Sequence, residues 1–431
     1  MPARRPPLGP APRRRPLQTR SITVEREGPN RPAEGRLIPW PEVPAYPVLG
    51  DLGPLGLGGS GSAGSGAAGL LALGAPFFTT AGRTALAWAF KAAGLVPGDR
   101  VLLPAYHCLA MVEPLEWLGL EAVYYRLHDD LSIDLEDLER RCDPACKALV
   151  AVHYFGFPQD AVRLRAFCDS AGLALIEDCA HSFYGSCAGA PMGSFGDFAI
   201  GSLPKFFPLR GGGCLVSSRR ELPRQVLAGH GPVGNLQALV RELQMAHYYG
   251  RLRALRPATF GAAASAKLLT LAGLGGDPAR LGCGAAGLET AAGWVARRSL
   301  ATSDPEVIAD RRRRHYATIC RLLSGVPGIT LLKPRLETGV VPYMVPLRIP
   351  ALGRIFATLE DRAVPMQRFG QFLAPALAPG LCPVSDDLSH HGLQLPCHQS
   401  LWDDEIEWMV TQLADVCAKA GKHPSRTPAP G

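Results

Sequence analysis

The stretch Leu173-Ala174-Leu175-Ile176-Glu177-Asp178-Cys179-Ala180-His181 runs four apolar residues into two carboxylates and then into small residues. It reads as a buried strand of a parallel sheet, because strands covered on both faces are continuously apolar. In such sheets ligands sit at the carboxyl ends of the strands, so Asp178 is placed to face a site rather than solvent. The alternative is that Asp178 caps a following helix. Outward from this strand, residues 100–104, 122–125 and 148–152 form further short apolar runs, with helix-like stretches at 84–93 and 161–170 among them. The alternation predicts an α/β fold, a mainly parallel sheet flanked by helices.

Upstream, Thr79-Thr80-Ala81-Gly82-Arg83-Thr84-Ala85-Leu86 carries a strand end into a small-residue turn and then into good helix formers. The free N–H groups of a helix that starts this way suit an anion, and a phosphate is expected there. The same turn is also readable as a plain strand-to-helix connection with Thr84 as cap. Downstream, Ile200-Gly201-Ser202-Leu203-Pro204-Lys205-Phe206-Phe207-Pro208-Leu209-Arg210-Gly211-Gly212-Gly213 sets Lys205 among Pro, Leu and Phe. Desolvation lowers the pKa of an amine, as a Schiff-base lysine requires, although a snorkelling structural lysine fits the pattern too. Pyridoxal phosphate chemistry needs such groups, including a carboxylate that keeps the ring nitrogen protonated so that the ring draws electrons.

The chain has 431 residues, 47% of them hydrophobic, enough for two or more compact units. Its formal charge of +7 owes six positive charges to arginines within residues 1–20, and the remainder carries +1, so no nucleic-acid role is expected. The twelve cysteines are dispersed and Cys142 and Cys146 lack companions at ligand spacing, which points to free thiols in a reducing compartment and to no metal site. Prolines 6, 7, 10, 12 and 16 break up the apolar core a signal peptide would need, and residues 67–78 are too short and glycine-rich to span a bilayer. A soluble, cytoplasmic protein with no membrane partner is expected.

Residues 1–66 read as a flexible, basic, Pro/Gly-rich segment, with Leu37-Ile38-Pro39-Trp40-Pro41 the exception that could dock on the main body. Residues 67–303 form a large domain, within which 232–298 is a helical insert without assignable chemistry. Residues 304–420 form a smaller α+β C-terminal domain, beginning with a charged helix through Arg311-Arg312-Arg313-Arg314, and 421–431 a disordered tail. Asp403-Asp404 suit the N-terminus of the final helix.

Taken together these motifs resemble the DegT/StrS-type sugar aminotransferases, a family of fold-type-I pyridoxal-phosphate enzymes. The family's Ser-Gly-Thr phosphate turn is similar to Ala81-Gly82-Arg83 with Thr84 next. Its Glu-Asp-x-Ala-Gln/His stretch matches Glu177-Asp178-Cys179-Ala180-His181, and its lysine, followed seven and eight positions later by Gly-Gly, matches Lys205 with Gly212 and Gly213. Val96-Pro97-Gly98-Asp99, Pro104-Ala105-Tyr106-His107, Val152-His153-Tyr154-Phe155-Gly156 and Leu395-Pro396-Cys397-His398 are smaller echoes.

The resemblance implies an aspartate-aminotransferase-like fold with pyridoxal 5′-phosphate as cofactor. Lys205 would carry the cofactor as a Schiff base, Asp178 would pair with the pyridinium nitrogen, and His181 would lie near the ring hydroxyl. Gly82, Arg83, Thr84 and Ser202 would surround the phosphate. The family stacks an aromatic or histidine on the ring, and here the aligned position is Cys108, with Tyr106 and His107 beside it as substitutes. Ser202 lies closer to Lys205 than the usual spacing, Arg210-Gly211 replaces the usual Gly-Glu, and residues 232–298 hold no match to the Gly-Tyr-Asn segment that reaches a neighbouring subunit.

The expected activity is transfer of an amino group from an amino acid donor to a keto acceptor, a sugar or secondary-metabolite precursor. A homodimer is expected from the resemblance and from the apolar character of residues 260–294. Two other readings stand beside it: a sugar dehydratase-like enzyme, against which Lys205 argues because those relatives carry histidine there, and a catalytically silent or regulatory fold-type-I domain with a partner-binding basic tail.

Overall fold

The computed structural model describes residues 69–207, 209, 211–229, 231, 234–235 and 285–422. The readings for residues 1–66, for most of 232–298, and for Arg210 and residues 423–431 lie outside the described residues. A seven-stranded sheet is built from β1 (Phe77–Thr79), β2 (Arg100–Pro104), β3 (Glu121–Tyr125), β4 (Cys146–Val152), β5 (Ala174–Asp178), then, after the small hairpin β6 (Ser186–Cys187) and β7 (Ala190–Pro191), from β8 (Phe198–Ser202) and β9 (Gly213–Val216). Its order is β1-β9-β8-β5-β4-β2-β3. The five strands from β8 to β3 are parallel to one another; β9 pairs antiparallel with β8, and the edge strand β1 pairs antiparallel with β9 and so runs in the direction of the five.

Leu149, Val150 and Ala151 of β4 and Leu175 and Ile176 of β5 are completely buried, because helices cover both faces of the sheet. The crossovers are α1 (Gly82–Ala92), α2 (Leu109–Leu118), α3 (Leu135–Arg141) and α4 (Ala161–Ala171). Asp134 and Asp160 cap α3 and α4 by accepting the Asp137 and Arg163 N–H groups. No side chain caps α1, which starts from Ala81 in an extended conformation, so the cap reading for Thr84 does not hold: its hydroxyl lies 3.1 Å from the Thr80 hydroxyl, inside the core. The α1 start packs so tightly on β9 that a Cβ at Gly213 would collide with the Ala81 carbonyl, which explains a glycine there.

Beyond α5 (Trp294–Thr302), the long helix α6 (Pro305–Leu323) is capped by Asp304. A three-stranded antiparallel sheet follows, from β10 (Thr330–Leu331), β11 (Met344–Arg348) and, after α7 (Leu352–Asp361) and α8 (Pro383–His391), β12 (Gly392–Pro396). The last helix, α9 (Asp403–Lys422), starts on the expected acidic pair and runs two residues past the boundary set at 420. Within α6, Ile308, Arg312, His315, Tyr316 and Ile319 form one buried stripe at helical spacing.

Candidate active site

Asp178 ends β5, level with Val152 on one side and Ile200 on the other, at the carboxyl edge of the parallel strands. Alternation along the strand sends Glu177 and Asp178 to opposite faces. No helix follows Asp178 before a 3-10 turn at Leu203–Lys205, so the helix-cap reading of Asp178 fails; among the described residues its Oδ1 accepts the local Ala180 N–H at 2.9 Å. Burial pushes the Asp178 carboxyl up from its ordinary value, against the pull of Lys205, the Ala180 N–H and His153.

Lys205 sits on that 3-10 turn, directly after β8, with Phe206 and Phe207 fully buried behind it. Burial lowers its amine pKa, Cys108 and Asp178 oppose this, and Arg83 adds to it. The ammonium lies 5.5 Å from the centroid of the Tyr343 ring. Cys108, Asp178 and Arg83 are thus all close enough to Lys205 to shift its pKa.

His181 is held between two rings, Phe155 at 5.5 Å and Tyr343 at 4.7 Å, both nearly parallel to it, with Phe369 edge-on at 5.1 Å. Its Nδ1 accepts the Phe155 N–H at 3.4 Å, which leaves the imidazole proton on Nε2. Burial, and then the Lys205 charge, drive its pKa well below the ordinary value, so the ring is a neutral donor.

Of the three neighbouring candidates for the ring face, His107 and Tyr106 are committed elsewhere. His107 Nδ1 donates toward the Pro104 and Ala105 carbonyls, its Nε2 accepts the Ala374 N–H, and its ring stacks on Tyr124. The Tyr106 hydroxyl donates to the Phe369 carbonyl at 2.9 Å. Cys108, the residue preceding α2, is the one that shares the surroundings of Lys205 and Asp178, and burial keeps its thiol protonated by raising its pKa. At the uncapped start of α1, Gly82 lies against Ser202, whose Cβ is 3.2 Å from the place a Cβ on Gly82 would take, and Arg83 pairs with Glu113 of α2.

Sequence reasoning missed the supports of this site. Behind Asp178, His153 and Glu177 form a fully buried pair. Tyr343 reaches in from just before β11, and its N–H bonds the carbonyl of Phe155, a residue held at φ 57°. The spacing of Arg312 on α6 carried a signal, since it falls on the buried stripe of that helix.

A mainly parallel sheet with a lysine turn and a carboxylate at its carboxyl edge defines the class: an α/β transferase of the aspartate-aminotransferase-like fold type I. DesI in the presence of its TDP-sugar product superposes with a TM-score of 0.59 at 21% identity, covering 82% of this chain and 83% of that one. The 3-amino-5-hydroxybenzoic acid synthase structure gives a TM-score of 0.55 at 18% identity, over 80% and 86% of the two chains. In sequence, residues 77–232 match the DegT/DnrJ/EryC1/StrS aminotransferase family. The dTDP-4-dehydro-2,3,6-trideoxy-D-glucose 4-aminotransferase of Saccharopolyspora spinosa is 30% identical over 363 residues, covering 80% of this chain and 84% of that protein. The GDP-perosamine synthase of Vibrio cholerae is 36% identical over 117 residues, which span 27% of this chain and 32% of that enzyme. The chain belongs to the DegT/DnrJ/EryC1/StrS aminotransferase family.

Proposed function

We propose that the protein is a pyridoxal-phosphate-dependent aminotransferase that moves an amino group from an amino acid to the keto carbon of a sugar, nucleotide sugar or related secondary-metabolite precursor. The observation that carries this reading is that Lys205, on the turn directly after β8, and Asp178, at the end of the neighbouring parallel strand β5, stand at the same carboxyl edge of the sheet, close enough for each to pull on the other's pKa. Relatives that act on nucleotide sugars support the acceptor class.

The residues fit the cofactor chemically. The α1 amides start without a side-chain cap and would be left for a phosphate, with Gly82, Arg83 and Ser202 at that end; Thr84, its hydroxyl turned to Thr80 in the core, would contribute through its main chain. Asp178 would hold a proton on the pyridine nitrogen, His181 Nε2–H would donate to the ring oxygen, and Cys108 would face the ring. When bound, pyridoxal phosphate supplies a carbonyl that captures amines and a ring that accepts electrons. Lys205, its pKa lowered by burial, would hold the cofactor through its amine and would move the proton at the substrate carbon.

The protein is proposed to act as a cytoplasmic homodimer. Its described cysteines are free, no described helix is long and apolar enough to cross a membrane, and Leu109 and Phe372 leave apolar surface exposed near the site. Incubation with pyridoxal phosphate, borohydride reduction and peptide mass mapping tests the assignment. A reduced adduct on Lys205 is expected, and an adduct on another lysine, or none, would refute it.

A further inference from the structure

Arg312 occupies a position on the α6 stripe where an apolar residue is the rule, and it is completely buried. Among the described residues, every acceptor of its guanidinium is a neutral oxygen. Nη2 donates to the main-chain carbonyl of Lys205 at 2.8 Å, Nη1 to the carbonyls of Pro342 and Tyr343 at 3.2 and 3.3 Å, and Nε to Gln399 Oε1 at 2.9 Å. The other end of that amide, Gln399 Nε2, donates to the carbonyl of Phe206 at 2.8 Å, and the guanidinium lies 4.2 Å from the Phe206 ring centroid.

The 3-10 turn that carries Lys205 ends at once, so these two carbonyls have no next turn to accept from, and Arg312 and Gln399 supply the missing donors. Burying a charge against neutral oxygens is expensive, and burial pulls the Arg312 pKa down to about 10. A purely structural plug would be cheaper if apolar. The same guanidinium grips the main chain of Tyr343, whose ring faces both the Lys205 ammonium and His181.

We propose that Arg312, together with Gln399, is a positioning residue for the lysine centre: it pins the Lys205–Phe206 main chain to α6 and to the Tyr343 segment, so that the Lys205 side chain alone moves during transfer. This rests on the reading of Lys205 as the cofactor lysine. Its mechanical content is separable from that reading, because it concerns the amine itself.

The test is competitive acetylation of the full-length chain across pH, with the Lys205 peptide quantified by mass spectrometry against Lys91 and Lys147, in wild type, Arg312→Met and Gln399→Leu. In Arg312→Met the turn loosens, Lys205 gains solvent, and its labelling midpoint moves upward while the two reference lysines stay put. With cofactor and amino donor, single-turnover rates should fall at least about tenfold with the donor KM within about threefold, the split expected of lost orientation. Gln399→Leu should move both readouts in the same direction by less. A Lys205 labelling profile identical to wild type in the folded variants would overturn the proposal. So would loss of folding in both, which would make the pair structural only. A wild-type chain that takes up no cofactor would sink the aminotransferase reading instead, and leaves the acetylation result intact.

Discussion

His153 and Glu177 meet at 2.8 Å with both side chains wholly buried, directly behind the strand end that carries Asp178. The Gln159 N–H is accepted by His153 Nδ1, which puts the proton on Nε2 and makes His153 the donor to Glu177 Oε2. Glu177 Oε1 accepts the N–H groups of Phe195 and Gly196 in the approach to β8. The pair therefore ties β4, β5 and the β7–β8 connection together at the foot of the site.

Glu177→Gln preserves size but replaces one acceptor oxygen with a donor. Whichever way the amide turns, N–H meets N–H, either at His153 Nε2 or at the two main-chain donors. One unsatisfied buried donor costs about 1–3 kcal/mol. Thermal unfolding should show a midpoint lower by about 2–10 °C, and an unchanged midpoint would contradict the donor assignment of His153.

Asp197, buried just before β8, accepts from Arg165 Nη1 at 2.8 Å, Arg220 Nε at 2.9 Å and the Leu175 N–H at 2.9 Å. Burial alone would raise its pKa, but these donors outweigh burial and hold it below the ordinary value. A carboxylate depressed in the folded state stabilises above its unfolded pKa, about 3.9, and loses that contribution as pH falls below it. The stability gap between wild type and Asp197→Asn, read from urea midpoints, should be constant near neutrality and shrink below about pH 4. A gap as wide at pH 3 as at pH 7 would show that charge is not its origin.

Lys205→Ala should bind pyridoxal phosphate without the absorption band of a lysine adduct at about 410–430 nm, with the fold intact by circular dichroism. Lys205→Arg should fail equally, since a guanidinium does not form the adduct. A borohydride-reducible band surviving in either variant would move the chemistry to another lysine.

Strands β2 to β5 were readable because they are apolar runs, and Asp178 was singled out because it stands at the end of one; Lys205 was singled out by its Pro, Leu and Phe neighbours, and His181 by the family resemblance alone. Side-chain direction was not readable. Tyr106, His107 and Cys108 are consecutive, and which of them looks toward Lys205 depends on how the chain turns between β2 and α2. Arg312 was hidden for a related reason: within Arg311-Arg312-Arg313-Arg314 it looks like a solvated charge, and the helical spacing to His315, Tyr316 and Ile319 sets it apart. The Glu177 pair was hidden because its partner, His153, is 24 residues away on the neighbouring strand's exit.

The last prediction separates the two things Asp178 could be doing. Its Oδ1 holds the Ala180 N–H at 2.9 Å, a short turn contact that an asparagine carbonyl reproduces. Asp178→Asn therefore keeps the turn and removes only the charge. If that charge faces the pyridine nitrogen, the ring loses its proton and with it much of its capacity to draw electrons. Removing one partner of a buried charge pair costs about 3–5 kcal/mol, and if half of that falls on the transition state the amino-donor half-reaction slows at least about a hundredfold. Cofactor binding should suffer less than turnover, because the phosphate contacts are elsewhere. If Asp178 serves the turn alone, single-turnover rates will stay within a few fold of wild type, and the ring nitrogen must then lie against a different residue.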